Sequence, residues 1–324
     1  MQIEILKSDI KANLCNLIDN DYVLLDLPYH INTGDLLIWE GELFFLKDHI
    51  HHKMLGYYNV STFNFPKLKP ETIILFHGGG NFGDVWRKSQ KHRLDIIKHY
   101  PNNKIIILPQ SVFYSDYSLI KHDSDIFETH HNLTICARDK VSFEFLAKHF
   151  TKNNIVLIPD MAFCIHDDFI KERSLRPNQI NLLLKRTDHE YKEIEGIGTQ
   201  IPKEITIGDW PGTQKPSNFI RFLYFLMIFL QIIQQKRMLS PIHFILGKFV
   251  NCTFNYYIRP KYIKNGVKFI SSFENIYSTR LHGVILALLI GRNIYIIPNN
   301  NGKLQNFYHS WLTRIKSIKL LEYE

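Results

Sequence analysis

Ten short apolar runs, each ending in polar residues, set the limits on how this 324-residue chain can fold. Residues 22–28, 72–77, 104–110, 133–139 and 154–160 read as one series of strands. Residues 179–186, 203–210, 266–270, 276–280 and 293–298 read as a second. Runs such as Ile105-Ile106-Ile107-Leu108 lack polar alternation, which marks parallel strands buried on both faces and calls for crossover helices between them. The expected fold class is α/β, with two Rossmann-like domains facing a cleft, residues 1–165 and residues 166–324. The last helix is expected to pack back on the first domain. Ligands of such sheets bind at the carboxyl ends of the strands.

The formal net charge of +8 asks for an anionic partner. No Lys/Arg stripe interleaved with aromatics accompanies it, so no nucleic acid is expected. The four cysteines are widely spaced and form no Cys-x-x-Cys pair, which fits reduced thiols and a cytoplasmic location. The first residues lack the basic start and apolar core of a signal peptide.

His77-Gly78-Gly79-Gly80-Asn81-Phe82-Gly83-Asp84 admits three familiar readings. A dinucleotide loop needs an acidic residue at the end of the next strand, where this chain has Pro109-Gln110-Ser111, and Asp84 would oppose a pyrophosphate. An esterase oxyanion loop needs a Gly-x-Ser-x-Gly elbow, which is missing. A phosphate-binding Gly-Lys-Ser/Thr loop is missing too. Asn81-x-Gly-Asp84 instead echoes Asn32-x-Gly-Asp35. In both, Gly permits an unusual backbone angle and Asp is placed to cap a helix.

Taken with Ala137-Arg138-Asp139, Pro159-Asp160-Met161-Ala162-Phe163 and Thr279-Arg280-Leu281-His282-Gly283, the two echoes resemble the polysaccharide pyruvyl transferase family. The resemblance runs from about Tyr29 to Leu312. It implies a fold similar to the two-domain (GT-B type) glycosyltransferases. It also implies transfer of the enolpyruvyl unit of phosphoenolpyruvate onto a sugar, as a ketal, with release of phosphate. The run after the last strand departs from the family's usual Asp-Asn-Ser-Tyr-Gly-Lys, reading Pro298-Asn-Asn-Asn-Gly-Lys303, so Asn299 and Lys303 remain while the Asp is absent.

Such chemistry needs cations for a carboxylate and a phosphate, a proton donor and a proton acceptor, and no metal or organic cofactor. Arg280 is assigned to the donor and His282 to proton transfer, at a strand end that opens a helix. Arg138 is a further anion ligand with Asp139 to orient it, or else the two form a structural ion pair. Arg186 ends a strand, and Asp188-His189-Glu190 are expected to face the cleft. Asp84 either accepts a proton from the acceptor or caps its helix. Gly79, Gly80, Asn81, Asn32, Asp35 and Lys303 complete the expected substrate contacts. His49, His51 and His52 read as a solvated run, not a metal site.

The acceptor is expected to be a lipid-linked sugar. Residues 219–233 are apolar except Arg221 and Gln231, shorter than the roughly 18 to 20 residues of a bilayer span. They read as a buried helix or, with Lys236 and Arg237, as a peripheral membrane contact at the inner face of the cytoplasmic membrane. Two rival readings share the architecture: a sugar-nucleotide-dependent glycosyltransferase and a non-catalytic sugar- or lipid-binding scaffold.

Overall fold

A computed structural model describes residues 2–186, 200–212, 216–235, 240–298 and 302–322. Helix α1 (Gln2–Leu14) precedes β1 (Tyr22–Leu25), α2 (Thr33–His49), β2 (Met54–Tyr57), β3 (Ile73–Phe76) and β4 (Gly79–Gly83). Then come α3 (Arg87–His99), β5 (Ile105–Phe113), α4 (Tyr117–Phe127), β6 (Leu133–Ala137), α5 (Lys140–His149) and β7 (Asn154–Leu157). These strands form one sheet in the order β2-β1-β3-β5-β6-β7, with β4 paired to β5. Every pairing in it is parallel.

After α6 (Asp167–Lys171) the chain forms β8 (Gln179–Leu184), β9 (Thr206–Gly208), α7 (Asn218–Gln235), α8 (Ser240–Thr253) and α9 (Arg259–Ser271). It continues as β10 (Phe273–Ser278), α10 (Leu281–Ile290), β11 (Asn293–Ile296), α11 (Lys303–Phe307) and β12 (Ile318–Leu320). The second sheet, β12-β11-β10-β8-β9, is also parallel throughout. The arrangement is two Rossmann-like, sheet-based domains of the GT-B-like kind. The segment between β7 and β8, which carries α6, joins the two sheets.

One expected strand is a helix. Gly266–Ile270 lies inside α9, whose buried face is Tyr262, Ile263, Val267 and Ile270, spaced at helical and not strand intervals. Gly266 is there because a Cβ would stand 2.5 Å from Thr33 Cγ2, so α9 lies directly against the start of α2. The unpredicted β4 is the glycine stretch itself. Gly83 has φ +120°, and a Cβ there would stand 1.8 Å from the carbonyl oxygen of Phe113.

The two sheets share a core. Leu36, Leu37 and Trp39 of α2 belong to the same apolar cluster as Ile263 and Val267 of α9 and Val284 and Ile285 of α10. A buried Arg259–Glu40 ion pair fastens α9 to α2. At the other end, Trp311 Nε1 donates to the Arg138 carbonyl (2.8 Å), and the Lys140 amide donates to Ser310 Oγ (3.0 Å). The segment after α11 thus rests on the first domain. Such ties hold the walls of a shared cleft in fixed register.

Helix α7 is buried along one narrow face. Ile220, Leu223, Leu226, Leu230 and Ile233 face the core, whereas Phe222, Phe225, Ile228 and Ile232 are exposed. By length and composition it is long and apolar enough to cross a membrane, although its inner face is packed on protein.

Candidate active site

The carboxyl ends of strands from both sheets and the N-termini of α2 and α10 enclose a cleft of about 680 Å³. Asn32, Asp35, Gly80, Asn81, Arg138, Arg186, Arg280, His282 and Lys303 line it. Gly79 and Asp84 do not. Asp188, His189, Glu190, Lys236, Arg237 and Asn299 lie outside the described residues.

Two cations from opposite domains meet at Gly80. Arg138, at the end of β6, has Nη2 where a Gly80 Cβ would be 3.0 Å away, and Lys303, opening α11, donates from Nζ to the Gly80 carbonyl (3.2 Å). Arg138 is nearly fully buried and is held on its other edges, donating from Nε to Ser111 Oγ (2.8 Å) and from Nη1 to Asp160 Oδ2 (2.9 Å). Ser111 Oγ in turn donates to Asp139 (2.7 Å), which also caps α5. Asp139 therefore orients Arg138 through Ser111. A guanidinium fixed this way presents its charge without rotamer freedom, as anion recognition requires.

Asp160 joins that arginine to the histidine. The same Oδ2 lies 3.3 Å from His282 Nε2, and Oδ1 accepts from the Ala162 amide (2.9 Å). Burial pushes its carboxyl pKa up, but His282 and Arg138 beside it hold it well below the usual carboxylate range. His282 sits in the first turn of α10, with Nδ1 facing α2 where a Gly34 Cβ would be 2.9 Å away. The glycine lets the N-termini of α2 and α10 meet across the cleft.

Asp35, in the first turn of α2, takes bonds on Oδ2 from His30 Nε2 (2.8 Å) and Asn32 Nδ2 (2.8 Å). Burial raises its pKa, yet the His30 contact and the charges of His282 and His77 hold it well below the ordinary value. Asn32 caps α2, accepting from the Gly34 amide at 3.1 Å. Behind them His77 Nδ1 pairs with Glu42 (2.8 Å), whose other oxygen accepts from the Gly78 amide (2.7 Å). Burial works to lower the His77 pKa, but Glu42 carries it above the usual histidine value.

Arg280, at the N-cap position of α10, donates from Nε and Nη2 to both oxygens of Asp209, just past β9. Arg186 lines the same wall, and its amide donates to Thr279 Oγ1 (3.0 Å). Asn81 is anchored from below: Nδ2 donates to Asp26 (3.1 Å) while Oδ1 accepts from Arg93. Arg93, wholly buried, also reaches Asp26 (2.8 Å) and the Asn81 carbonyl (3.2 Å). Asp26 itself has φ +62°, a strained angle at the cleft floor.

Asp84 is turned elsewhere. Its Oδ2 accepts from the Ser115 amide (2.7 Å), Ser115 Oγ (2.8 Å) and the Asp116 amide (2.7 Å). It does not cap α3, which begins at Arg87. Asp160, Asp209, His30, Asp26, Arg93 and the His77–Glu42 pair were not singled out as site residues from the sequence. Asp160 and Asp209 stand at the ends of expected strands and His77 opens the glycine stretch, but nothing in the sequence ties any of them to its partner. Among the described residues no three His, Cys, Asp or Glu side chains are grouped to hold a metal ion.

The architecture is shared with a solved structure from Klebsiella pneumoniae subsp. pneumoniae NTUH-K2044, at TM-score 0.58 and 18% identity, covering 98% of each chain. The sequence is 33% identical over 322 residues to EpsO of Bacillus subtilis (strain 168), covering 97% of this chain and 94% of that one. It is 26% identical over 321 residues to Pyruvyl transferase 1 of Schizosaccharomyces pombe, covering 89% of this chain and 69% of that one. The polysaccharide pyruvyl transferase family model matches residues 32–301, a span that holds the cleft from Asn32 to His282, and the chain belongs to that family.

Proposed function

We propose that the cleft takes phosphoenolpyruvate as donor and builds a pyruvate ketal on a sugar carried by a membrane lipid. The observation that carries this reading is the convergence of Arg138, Lys303, Arg186, Arg280 and His282, from both domains, on one cavity. The donor brings a carboxylate and a phosphate, and the cations supply fixed ligands for both. A peripheral contact through residues 219–237 belongs to the same reading.

His282 protonates the methylene carbon, leaving a cationic centre stabilised by its own enol oxygen. One sugar hydroxyl attacks that centre, and its proton returns to the imidazole. The C–O bond to phosphate then breaks, and a second hydroxyl closes the ring, its proton leaving with the phosphate. Asp160 positions His282 and Arg138 together, while Asp35, a carboxylate of the cleft lining, assists the hydroxyls. The protons balance, and no metal or organic cofactor is needed.

The test is incubation with phosphoenolpyruvate and a model glycoside. Phosphate release with a pyruvyl mass added to the sugar supports the reading. Turnover of a sugar nucleotide, with phosphoenolpyruvate untouched, supports the glycosyltransferase alternative.

A further inference from the structure

We propose that the α7–α8 hairpin is a docking surface for an anionic lipid bilayer, lying in the interface with its outer apolar face among the acyl chains. Phe222, Phe225 and Ile228 of α7, with Phe244, Ile245 and Phe249 of α8, are all exposed, Phe225 by 65% and Phe244 by 70%. The two helices pack on each other, and each leaves a stripe of large apolar side chains exposed, which scattered surface apolar residues would not do.

Charge selects the occupant. From Trp210 to Phe273 the sequence contains no Asp or Glu, although the chain has 31 of them, and it contains nine Lys and Arg. Arg221, Lys248 and Lys261 are exposed on or beside the hairpin, and Tyr256 and Tyr257 are exposed at its end. Aromatic hydroxyls and basic side chains around an apolar face are what a headgroup layer accommodates. A second copy of the same surface would bring bases against bases with no carboxylate to pair them. Between α7 and α9 a groove of about 510 Å³ joins Phe219 and Tyr257 to Lys261, an apolar wall ending in a cation.

The helices lie on the membrane and do not cross it. Gln234 donates to the Phe63 carbonyl, and His243 Nε2 meets the Ser61 carbonyl at 3.1 Å, so both are fastened to the first domain. Met227 and Gln231 of α7 line the cleft, which sets the docking face and the site on two sides of one helix. The docking deepens the peripheral contact of the proposed function and is tested without substrates; its use, offering a lipid-carried acceptor at the cleft, rests on the proposed transfer.

The experiment is co-sedimentation of the full chain with vesicles of phosphatidylcholine alone and of phosphatidylcholine and phosphatidylglycerol in equal parts, without substrates. The parent is expected to sediment with the mixed vesicles and little with the neutral ones. Phe225→Ser with Phe244→Ser should weaken binding by about tenfold or more at unchanged Tm, since the loss of buried apolar area sets the affinity. Arg221→Gln with Lys248→Gln should remove the preference for anionic lipid, and added salt should do the same to the parent. A parent that stays in solution with mixed vesicles overturns the proposal. So do Ser variants that bind equally well, or a parent dimer that the Ser variants dissociate while vesicles are ignored. Phosphate release from phosphoenolpyruvate on a soluble glycoside should survive in the Ser variants, so failure of docking and failure of the transfer reading are read separately.

Discussion

Arg280 grips Asp209 with both arms of its fork, Nε to Oδ1 at 2.5 Å and Nη2 to Oδ2 at 2.6 Å. A carboxylate already occupies the geometry a substrate carboxylate would choose. If donor binding draws Arg280 away from Asp209, then Asp209→Asn should lower the KM for phosphoenolpyruvate about three- to tenfold, because a charged competitor is gone. It should also cost on the order of 1 to 3 kcal/mol of stability, since the pair is nearly buried. Arg280→Lys should lower kcat/KM by roughly 30-fold, equal to about 2 kcal/mol, as an ammonium cannot replace a fork. Steady-state kinetics on both variants check this, and a raised KM in Asp209→Asn would make Asp209 a positioning residue instead.

Gly34→Ala probes how the two helix termini meet. The added methyl would arrive 2.9 Å from His282 Nδ1, 3.1 Å from its Cβ and 3.2 Å from its Cγ, so turning the ring relieves only part of the contact and the start of α10 must shift as well. Gly34 lies in the first turn of α2, where alanine's helix preference counts for little. Tm should therefore fall, by about 1 to 3 kcal/mol of stability, while kcat falls about tenfold, the range expected when a proton-transfer group loses its alignment. Equal kcat with unchanged Tm would show that His282 does not need this contact.

His92 should be one source of lost stability in the first domain at mildly acid pH. Burial pushes its pKa down to about 4, against an ordinary value of 6.5, and its Nε2 has no hydrogen-bond partner among the described residues. The unfolded chain therefore takes up the proton first. The contribution of His92 should be full above about pH 6.5 and be lost as pH falls toward 4, by up to about 3 kcal/mol. His92→Phe, beside Phe63 and Phe65, should flatten that slope. Asp35 and Asp160 are also held low, so their contribution is complete above about pH 4 and lost only below it. Denaturant midpoints at several pH values measure both windows.

The central strands were legible because Ile105 to Leu108 and Ile73 to Phe76 are buried on both faces, which leaves an unbroken apolar run in the sequence. Gly266 to Ile270 misled because five residues fit either period; only with Tyr262 and Ile263 included does the helical face show. The pairing of Gly79 to Gly83 with β5 could not be read, since glycines carry no side-chain period. In the site, the cations announced themselves at strand ends. Which carboxylate meets which cation did not show, because Asp160 is 122 residues from His282 and Asp209 is 71 from Arg280. Only the folded sheets bring those pairs together.

Asp84→Asn separates the chemical and structural readings of the glycine stretch. In the structure Asp84 Oδ2 gathers Ser115 N, Ser115 Oγ and Asp116 N, just before Asp116 caps α4. An asparagine carbonyl can accept the same three bonds but without the charge. A neutral acceptor is weaker than an ionised one by about 1 kcal/mol. The loss should appear in Tm, while kcat and the KM for phosphoenolpyruvate stay within about twofold, because the side chain is outside the cleft wall. A proton acceptor would behave oppositely, keeping its Tm and losing about 100-fold or more in kcat. A large fall in kcat at unchanged Tm would thus return Asp84 to the catalytic set and require the 113–116 turn to open when substrate binds.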